Sequence, residues 1–342
     1  MALIWADGFE HWGSKPQMVT GGYIMSDFLT LVTNNPQYAR TGKAYIQGRA
    51  EWRRAYDPML VCTFGIAMRT DQFDTDDRFP PGYTMIDKDG RGVTIVFYND
   101  GSFGAMRADN NDVLLWRSGT AKYKAGTWNY LEMQINVPAQ TWELHVNNVF
   151  LGSGQLAGIG NTGIVMFRYD RVRVDQGANA RETAHADYYV TTSDIAGPNP
   201  GFLGDVRCRT VYPTDNGPDQ AWSVTGADNA VAAINQVPFN QNRFIAAANV
   251  GDVSNFEVGN LPDNTSYVAG LNVFMATGKS DAGICEVTPE IQSGGVTSDL
   301  MPITPGVAPA YYSRISETDP ATGVYWTKAA VNAVRVGMKR TA

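Results

Sequence analysis

Two adjoining segments with strict two-residue alternation constrain the fold of this chain most. In Thr127–Val137, apolar residues alternate with polar ones: Leu131, Met133, Ile135 and Val137 against Glu132, Gln134 and Asn136. Thr141–Val146 alternates in the same way, with Trp142, Leu144 and Val146 opposite Glu143 and His145, and Asn147-Asn148 follows before Val149-Phe150. Such alternation beside an Asn-Asn turn is typical of an antiparallel hairpin with one solvated face. It predicts exposed positions for Glu132, Glu143 and His145.

The rest of the chain repeats this pattern. The predicted strands of the first region are Ala2–Phe9, Gly42–Trp52, Leu60–Thr70, Tyr83–Ile86, Gly92–Tyr98, Phe103–Ala108, Val113–Ser118, Asn129–Val137, Thr141–Val146, Gly163–Tyr169 and His185–Val190. In Met18–Val32 the apolar residues fit neither period, so a short helix and an irregular loop both stay open there. Many short strands with hairpin turns predict an all-β fold with two stacked antiparallel sheets of jelly-roll type.

A Pro/Gly-rich stretch, Ser193–Gly201, marks the best domain boundary. At 342 residues the chain fits two domains, so we predict a jelly roll over 1–192, a linker over 193–201 and a second β-rich module over 202–342. The strands expected in this module are Phe202–Pro213, Tyr267–Ala276, Gly283–Ile291 and Ala310–Ser316. A short C-terminal helix is predicted over Thr327–Val334, with Thr327 as its N-cap.

Charge and hydropathy exclude several classes of function. The net charge is −7 and the sequence pI is about 5.0, which argues against nucleic acid or a membrane surface as the partner. No run reaches the ~18 apolar residues of a membrane span. The first residues carry neither a basic region nor an apolar core typical of a signal peptide. We therefore expect folding in the cytoplasm, no membrane insertion and no nucleic-acid partner.

Four segments of the first region resemble the laminin-G/concanavalin-A-like jelly roll: Asp7–Glu10, Gly126–Glu132, Trp142–Phe150 and Ala186–Val190. The resemblance spans most of residues 1–192. It implies a sandwich whose loops and faces are suited to recognition, because many proteins of this fold are lectins, pentraxins and adhesins. Some relatives hydrolyse glycans and some laminin-G modules bind calcium, so both chemistries need to be weighed.

Three segments of the second region, in order, resemble virion proteins of tailed bacteriophages: Gly201–Pro213, Asp263–Val268 and Asp319–Gly337. The order in those proteins is also a jelly roll followed by this β module. The resemblance implies a non-enzymatic structural protein located in the virion after assembly in the host cytoplasm. It implies a homo-oligomer, with a trimer favoured, that contacts other tail or capsid proteins; a host-surface glycan is a further candidate partner.

Reaction chemistry is sparse in the sequence. Glycoside hydrolysis needs two neighbouring carboxylates, and no Glu-x-Asp-x-x-Glu run is present; Glu132 and Glu143 stand among polar residues. His11, His145 and His185 occur in separate segments without a nucleophile motif, and we expect exposed structural roles for them. The acidic run Asp71–Asp77 offers four carboxylates, but a solvated loop is the commoner state of such a run. We predict no catalytic residues, no cofactor and no metal site, and leave the ligand-binding residues open.

The cysteines, tryptophans and arginines of the sequence are expected to have structural roles. Cys62, Cys208 and Cys285 lack metal or redox spacing and are expected to be buried, with a bridge between Cys208 and Cys285 left open. Alternation places Trp5, Trp128 and Trp142 in the core, whereas the aromatic residues not placed by pattern are Trp12, Trp52, Trp116, Tyr311 and Tyr312. The arginines at 49, 53, 54, 168, 171, 173, 207 and 209 are candidates for ion pairs across a subunit interface.

The sequence thus favours a tail fibre, spike or tail-associated adhesin that contributes to attachment. A capsid decoration protein or head fibre is the alternative within the same class. A carbohydrate-binding lectin module is the alternative of another class. A polysaccharide depolymerase is the weakest hypothesis, because the acid pair and the β-helix repeats of many such enzymes are missing from the sequence.

Overall fold

A computed structural model describes residues 1–25, 29–33, 35, 39–41, 44–48, 51–70, 81–98, 100–109, 113–156, 158–171 and 183–342. Contacts divide the chain into two compact units. Unit 1 comprises Met1–Glu10 and Gly22–Cys208, and unit 2 comprises His11–Gly21 and Arg209–Ala342. The boundary segment Ser193–Gly201 belongs to unit 1; the division into domains over 1–192 and 202–342 stays a prediction.

Unit 1 is an antiparallel β-sandwich of jelly-roll type, as predicted. Its strands are β1 (Ala2–Asp7), β2 (Tyr23–Met25), β3 (Leu29–Val32), β4 (Tyr45–Gly48), β5 (Trp52–Met59), β6 (Val61–Thr70), β7 (Pro81–Ile86), β8 (Gly92–Phe97), β9 (Phe103–Arg107), β10 (Leu114–Arg117), β11 (Asn129–Asn136), β12 (Thr141–Val146), β13 (Val149–Gln155), β14 (Ile164–Arg171) and β15 (Thr183–Thr192). The first sheet has the order β13-β12-β11-β6-β15-β4-β3, with β1 also on β15. The second has the order β10-β9-β8-β7-β14-β5-β2.

A layer of aromatic rings joins the two sheets. Phe64 of the first sheet stacks on Phe167 of the second, with ring centroids 4.9 Å apart and planes at 11°. Tyr188 stacks on the same ring at 5.1 Å, and the fully buried Trp52 packs against it at 5.6 Å. Because each aromatic side chain removes about 150–250 Å² from water, this layer supplies much of the apolar burial that holds the sandwich together.

Four strands of unit 1 were not predicted from the sequence. β2 and β3 lie within Met18–Val32, where the sequence pattern allowed a short helix or an irregular loop but not strands, and the other two are β5 and β13. In β5 the residues Arg53, Arg54, Asp57 and Pro58 interrupt any apolar alternation. In β13 Gly152 and Gly154 do the same. Both strands form because neighbouring strands supply their ladders: β5 pairs with β14 and β2, and β13 pairs with β12.

Unit 2 is the predicted second β-rich module with a short C-terminal helix. Its elements are α1 (Lys15–Thr20), β16 (Pro213–Gln220), β17 (Ser223–Thr225), α2 (Ala230–Ile234), β18 (Phe244–Ala246), β19 (Val253–Val258), β20 (Leu271–Thr277), β21 (Val287–Ser293), β22 (Val296–Asp299), β23 (Ala310–Ser316), α3 (Lys328–Asn332) and β24 (Arg335–Arg340). The main sheet has the order β16-β19-β24-β21-β22; β17-β18 and β20-β23 form separate pairs. Thr327 caps α3, since its Oγ1 accepts a hydrogen bond from the Ala330 N–H at 3.1 Å. The core centres on Ile291, Trp326, Val331 and Val334.

The prediction of a strand over Phe202–Pro213 was wrong. Residues 202–212 have no strand pairing, although positions 205 to 209 do alternate between exposed and half-buried. The section Asn199–Cys208, here called the strap, packs on unit 1 instead. Its N–H groups at Leu203, Gly204 and Cys208 donate hydrogen bonds to side chains of unit 1. The exposure of this segment therefore alternates although its backbone is not paired with a neighbouring strand.

Candidate functional site

The outer face of β11, β12 and β13, turned away from the aromatic layer, presents an ordered grid of side chains. Strand register aligns three rows across these strands: Asn136–Thr141–Gln155, Gln134–Glu143–Ser153 and Glu132–His145–Phe150. Side chains directly opposite one another on antiparallel strands lie about 4.5–5.5 Å apart at Cβ. The rows therefore form a continuous surface, here called the outer grid.

The first two rows of the outer grid line an open depression of about 380 Å³. Trp142 and Gly154 complete its lining beside the six residues of these rows. The volume lies in the lower part of the range found for small-ligand sites, about 300–1,000 Å³.

The polar groups of this depression are held in position but retain capacity for a ligand. Gln134 Nε2 donates to Thr63 Oγ1 at 3.0 Å, which leaves its Oε1 as an acceptor. Asn136 Oδ1 accepts from the Ala139 N–H at 2.9 Å, which leaves its Nδ2 as a donor. Ser153 and Gln155 at the far side are exposed. The arrangement offers neutral donors and acceptors on a rigid sheet.

Glu143 is the one carboxylate in the lining, and it is paired with His145. Its Oε1 lies 2.6 Å from His145 Nε2. The two side chains occupy alternate positions of β12, so the strand itself sets their geometry. The pair lies on the predicted polar face, but both residues are half-buried instead of exposed as predicted.

The strap packs against the third row of the outer grid. The Phe202 ring stacks on His145 with centroids 4.0 Å apart and planes at 15°. The edge of Phe150 approaches the same imidazole at 5.8 Å, and the Phe150 side chain is 56% exposed. The rings of Phe202, His145 and Phe150, here called the aromatic wall, therefore stand at the row of the outer grid next to the depression.

Glu132 lies beneath the strap, which corrects the prediction of a solvated side chain. It is 1% exposed. Its Oε1 accepts hydrogen bonds from the Tyr189 hydroxyl and from the Gly204 N–H, the latter at 2.8 Å. The Tyr189 ring reaches it by crossing Gly65, where a Cβ would stand 1.9 Å from Tyr189 Cε1. Burial raises the pKa of Tyr189, so the phenol remains a donor.

A second buried carboxylate, Asp187, holds the far end of the strap. It accepts from Arg40 at 2.6 Å, from Thr41 Oγ1 at 2.8 Å and from the Cys208 N–H at 2.9 Å. Arg40 also donates to the Val206 carbonyl at 2.8 Å. Burial raises the pKa of Asp187 while the Arg40 guanidinium opposes that shift. The strap is therefore anchored at two points by buried polar groups.

Glu132 and Glu143 lie on the same polar face, as predicted. Strand register also makes them diagonal neighbours, which alternation within single strands did not reveal. Glu132 stands opposite His145, and Glu143 stands opposite Gln134. Acid–base hydrolysis of a glycosidic bond requires both carboxyl groups to reach the substrate. Here one of the two is covered by the strap and engaged by Tyr189.

The other histidines have separate surroundings. His185 was predicted to be exposed, but it is fully buried in the sandwich, and its Nδ1 lies 2.6 Å from the Tyr83 hydroxyl. Desolvation lowers its pKa to about 3, so the imidazole is neutral. His11 packs against Phe274 in unit 2 with ring centroids 3.9 Å apart.

Most of the other residues named in the sequence analysis are buried or half-buried. Trp5 and Trp142 are buried as expected, Trp128 is half-buried, and Trp12 and Trp52 prove to be fully buried. All three cysteines are free, with Cys62 buried and the other two half-buried. Arg49, Arg173 and the acidic run Asp71–Asp77 lie outside the described residues.

Two further properties concern only the part of the chain that the structure describes. Within it, no group of three or more His, Cys, Asp or Glu residues is arranged to hold a metal ion. Also within it, every helix is too short or too polar to cross a membrane.

No family model matches the chain, and no curated protein does. Among solved structures, it is similar to one described as a sialidase, with 12% identity and a TM-score of 0.42 over 56% of this chain and 18% of that one. It is similar to the cellulose-induced protein Cip1, with 11% identity and a TM-score of 0.42 over 55% of this chain and 97% of that one. The carbohydrate-binding module CBM66 from Bacillus subtilis matches with 10% identity and a TM-score of 0.31, over 48% and 97% of the two chains.

Proposed function

We propose that this chain is a non-enzymatic carbohydrate-binding protein that holds a glycan on the outer grid of unit 1. The observation that carries the proposal is the depression lined by Gln134, Asn136, Thr141, Ser153 and Gln155. Amides and hydroxyls supply both donors and acceptors, which suits the hydroxyl groups of a sugar. Because these side chains stand on paired strands, little ordering entropy opposes binding.

The lining favours a neutral glycan. Its ionisable side chain is Glu143, and no Lys or Arg is among the residues that form the depression. A uronic or sialic acid would therefore meet a carboxylate without a compensating cation. The aromatic wall at Phe202 and Phe150 offers an apolar surface for the C–H face of a sugar ring.

Binding without catalysis is the proposed mode, because Glu143 alone of the two neighbouring carboxylates faces the depression. Glu132 is engaged by Tyr189 and Gly204. A general acid or nucleophile needs access to the glycosidic bond, and the strap denies it to Glu132. Release of reducing ends from a bound polysaccharide would contradict this part of the proposal.

A glycan array followed by calorimetric titration of the purified full chain tests the proposal. We expect saturable binding to neutral oligosaccharides, unchanged by calcium or EDTA. Ser153→Arg should abolish binding at the outer grid by filling the depression, so the number of sugars bound per chain should fall by one. The matched control is Thr297→Arg, which places the same side chain at an exposed position of β22 in unit 2. Absence of binding at millimolar sugar, or equal binding by the wild type and Ser153→Arg, would contradict the proposal.

The second candidate function is that of a virion component, either a tail fibre, spike or adhesin or, alternatively, a capsid decoration protein or head fibre. The ordered resemblance of Gly201–Pro213, Asp263–Val268 and Asp319–Gly337 to phage virion proteins supports it. So do the apolar side chains that unit 2 exposes, among them Ile284 at 86%, Met301 at 68% and Val250 at 64%. A subunit contact would cover such residues. The two candidate functions are compatible, since an adhesin can bind a glycan.

Mass photometry in EDTA and then in calcium tests the virion proposal. A calcium-insensitive trimer is expected, and Ile284→Asp should shift it towards monomer. Cryo-imaging of particles labelled with an antibody to the chain should place it on the tail. Label confined to the capsid would favour the decoration protein, and unlabelled particles would contradict both.

A further inference from the structure

Unit 2 contains an open groove of its own that the proposed function does not use. Its volume is about 610 Å³, within the range of small-ligand sites. Four amide side chains, Gln17, Gln236, Asn240 and Gln241, line it together with Pro238 and Phe239. No ionisable side chain belongs to the lining.

The residues that form this groove are fixed by close packing. Gly13 approaches Pro238 so closely that a Cβ at Gly13 would stand 2.4 Å from Pro238 Cα. Phe239 packs edge-on against Tyr311 at 5.3 Å, and Tyr311 packs against the fully buried Trp12 at 4.8 Å. The groove thus rests on packed aromatic side chains rather than on a free loop.

Hydrogen bonds orient three of the four amides. Gln17 Oε1 accepts from the Gly13 N–H at 2.9 Å, so its Nε2 remains as a donor. Gln236 Nε2 donates to the Ala232 carbonyl at 2.8 Å, so its Oε1 remains as an acceptor. Asn240 Oδ1 accepts from the Asn242 N–H at 2.9 Å, which leaves its Nδ2 as a donor. These hydrogen bonds therefore fix which atom of each amide is available to a ligand: two are donors and one is an acceptor.

From this geometry we propose that the groove of unit 2 is a second binding site for a neutral saccharide. Set donors and acceptors match hydroxyl groups, and the Phe239 ring and the proline rings match the apolar C–H faces of a pyranose. The absence of charge in the lining disfavours acidic sugars and charged peptides. The site is separate from the outer grid, because its lining residues all belong to unit 2.

The experiment uses the full chain carrying Ser153→Arg, which removes the outer grid as a binding site. Saturation-transfer NMR and calorimetry with cellohexaose, maltohexaose and xylohexaose should detect one remaining binding event. Adding Asn240→Ala and Gln241→Ala should weaken it at least about tenfold, the equivalent of one or two lost hydrogen bonds. The control is Asn264→Ala, an exposed loop amide elsewhere in unit 2, and thermal melting verifies that each variant is folded.

The outcomes separate this site from the outer grid. Binding that persists in Ser153→Arg and is lost with Asn240→Ala and Gln241→Ala supports the second site, whether or not the outer grid binds sugar. Loss of all saccharide binding in Ser153→Arg overturns it. Binding of an uncharged Pro- and Gln-containing peptide in place of the three sugars also overturns it, because the groove would then be a peptide site.

Discussion

Glu132→Ala tests whether the strap is held by a buried carboxylate. The substitution removes the acceptor of two hydrogen bonds, one from Tyr189 and one from the Gly204 N–H. Both donors then remain in a region where Glu132 itself is 1% exposed. The strap loses its central anchor, while the anchor at Asp187 stays in place.

The expected loss of stability follows from these contacts. A hydrogen bond to a charged group contributes about 1.5–3 kcal/mol, and leaving a buried donor unpaired costs about 1–3 kcal/mol. Removal of the buried charge offsets part of this, because its desolvation cost disappears as well. We expect the free energy of unfolding of unit 1 to fall by about 3 kcal/mol. Glu132→Gln, which keeps one acceptor oxygen, should cost about 1 kcal/mol.

Urea unfolding followed by fluorescence measures the stability, and limited trypsin digestion reports on the strap. Arg207 is an exposed cleavage site within the strap, so cleavage there should become at least about tenfold faster if the strap opens more often. The control is Glu257→Ala, an exposed residue whose contact with Arg335 is 3.4 Å long; its effect should stay within about 0.5 kcal/mol.

A double-mutant cycle with Tyr189→Phe isolates the pair. The coupling between Glu132→Ala and Tyr189→Phe should be about 1–3 kcal/mol. If the free energy of unfolding of Glu132→Ala lies within about 0.5 kcal/mol of the wild type and Arg207 is cut no faster, the strap is held by other contacts and Glu132 is not its anchor.

Three further predictions concern local features. Burial lowers the pKa of His185 to about 3, whereas the pKa of an unfolded histidine is about 6.5. Between these two pH values the unfolded chain binds more protons than the folded chain. The free energy of unfolding should therefore fall by on the order of 4 kcal/mol as the pH drops through this window. Urea titrations at stepped pH should show a shallower slope for His185→Asn, and an unchanged slope would contradict the assignment. Asn148 has a φ of 67°, so Asn148→Val should lower the melting temperature by the equivalent of about 1–2 kcal/mol while Asn148→Gly leaves it nearly unchanged. Thr327→Ala removes the cap of α3 and should lower the free energy of unfolding of unit 2 by about 1 kcal/mol in urea denaturation. Thr327→Ser keeps the hydroxyl acceptor and should keep most of this stability.

The candidate site was partly visible in the sequence. Alternation in β11 and β12 identified Gln134, Asn136 and Glu143 as one polar face, and the structure places them together in the depression. The third strand of the outer grid was missed, because the glycines of β13 erase its pattern and only the Val149-Phe150 start was recognised. The groove of unit 2 had no sequence signal, since its amides come from α1 and from a loop more than two hundred residues later.

The features that could be predicted from the sequence are local ones. The period of two marked the strands, the Asn147-Asn148 pair marked a turn in which both residues have positive φ, and Thr327 marked the start of α3, because these features depend on neighbouring residues and backbone sterics alone. Tertiary structure alone decided that Glu132 and His185 are buried. The polar pattern of a strand shows which side chains share a face, but whether water reaches that face depends on what packs over it. For Glu132 that cover is the strap, which lies about seventy residues further along the chain.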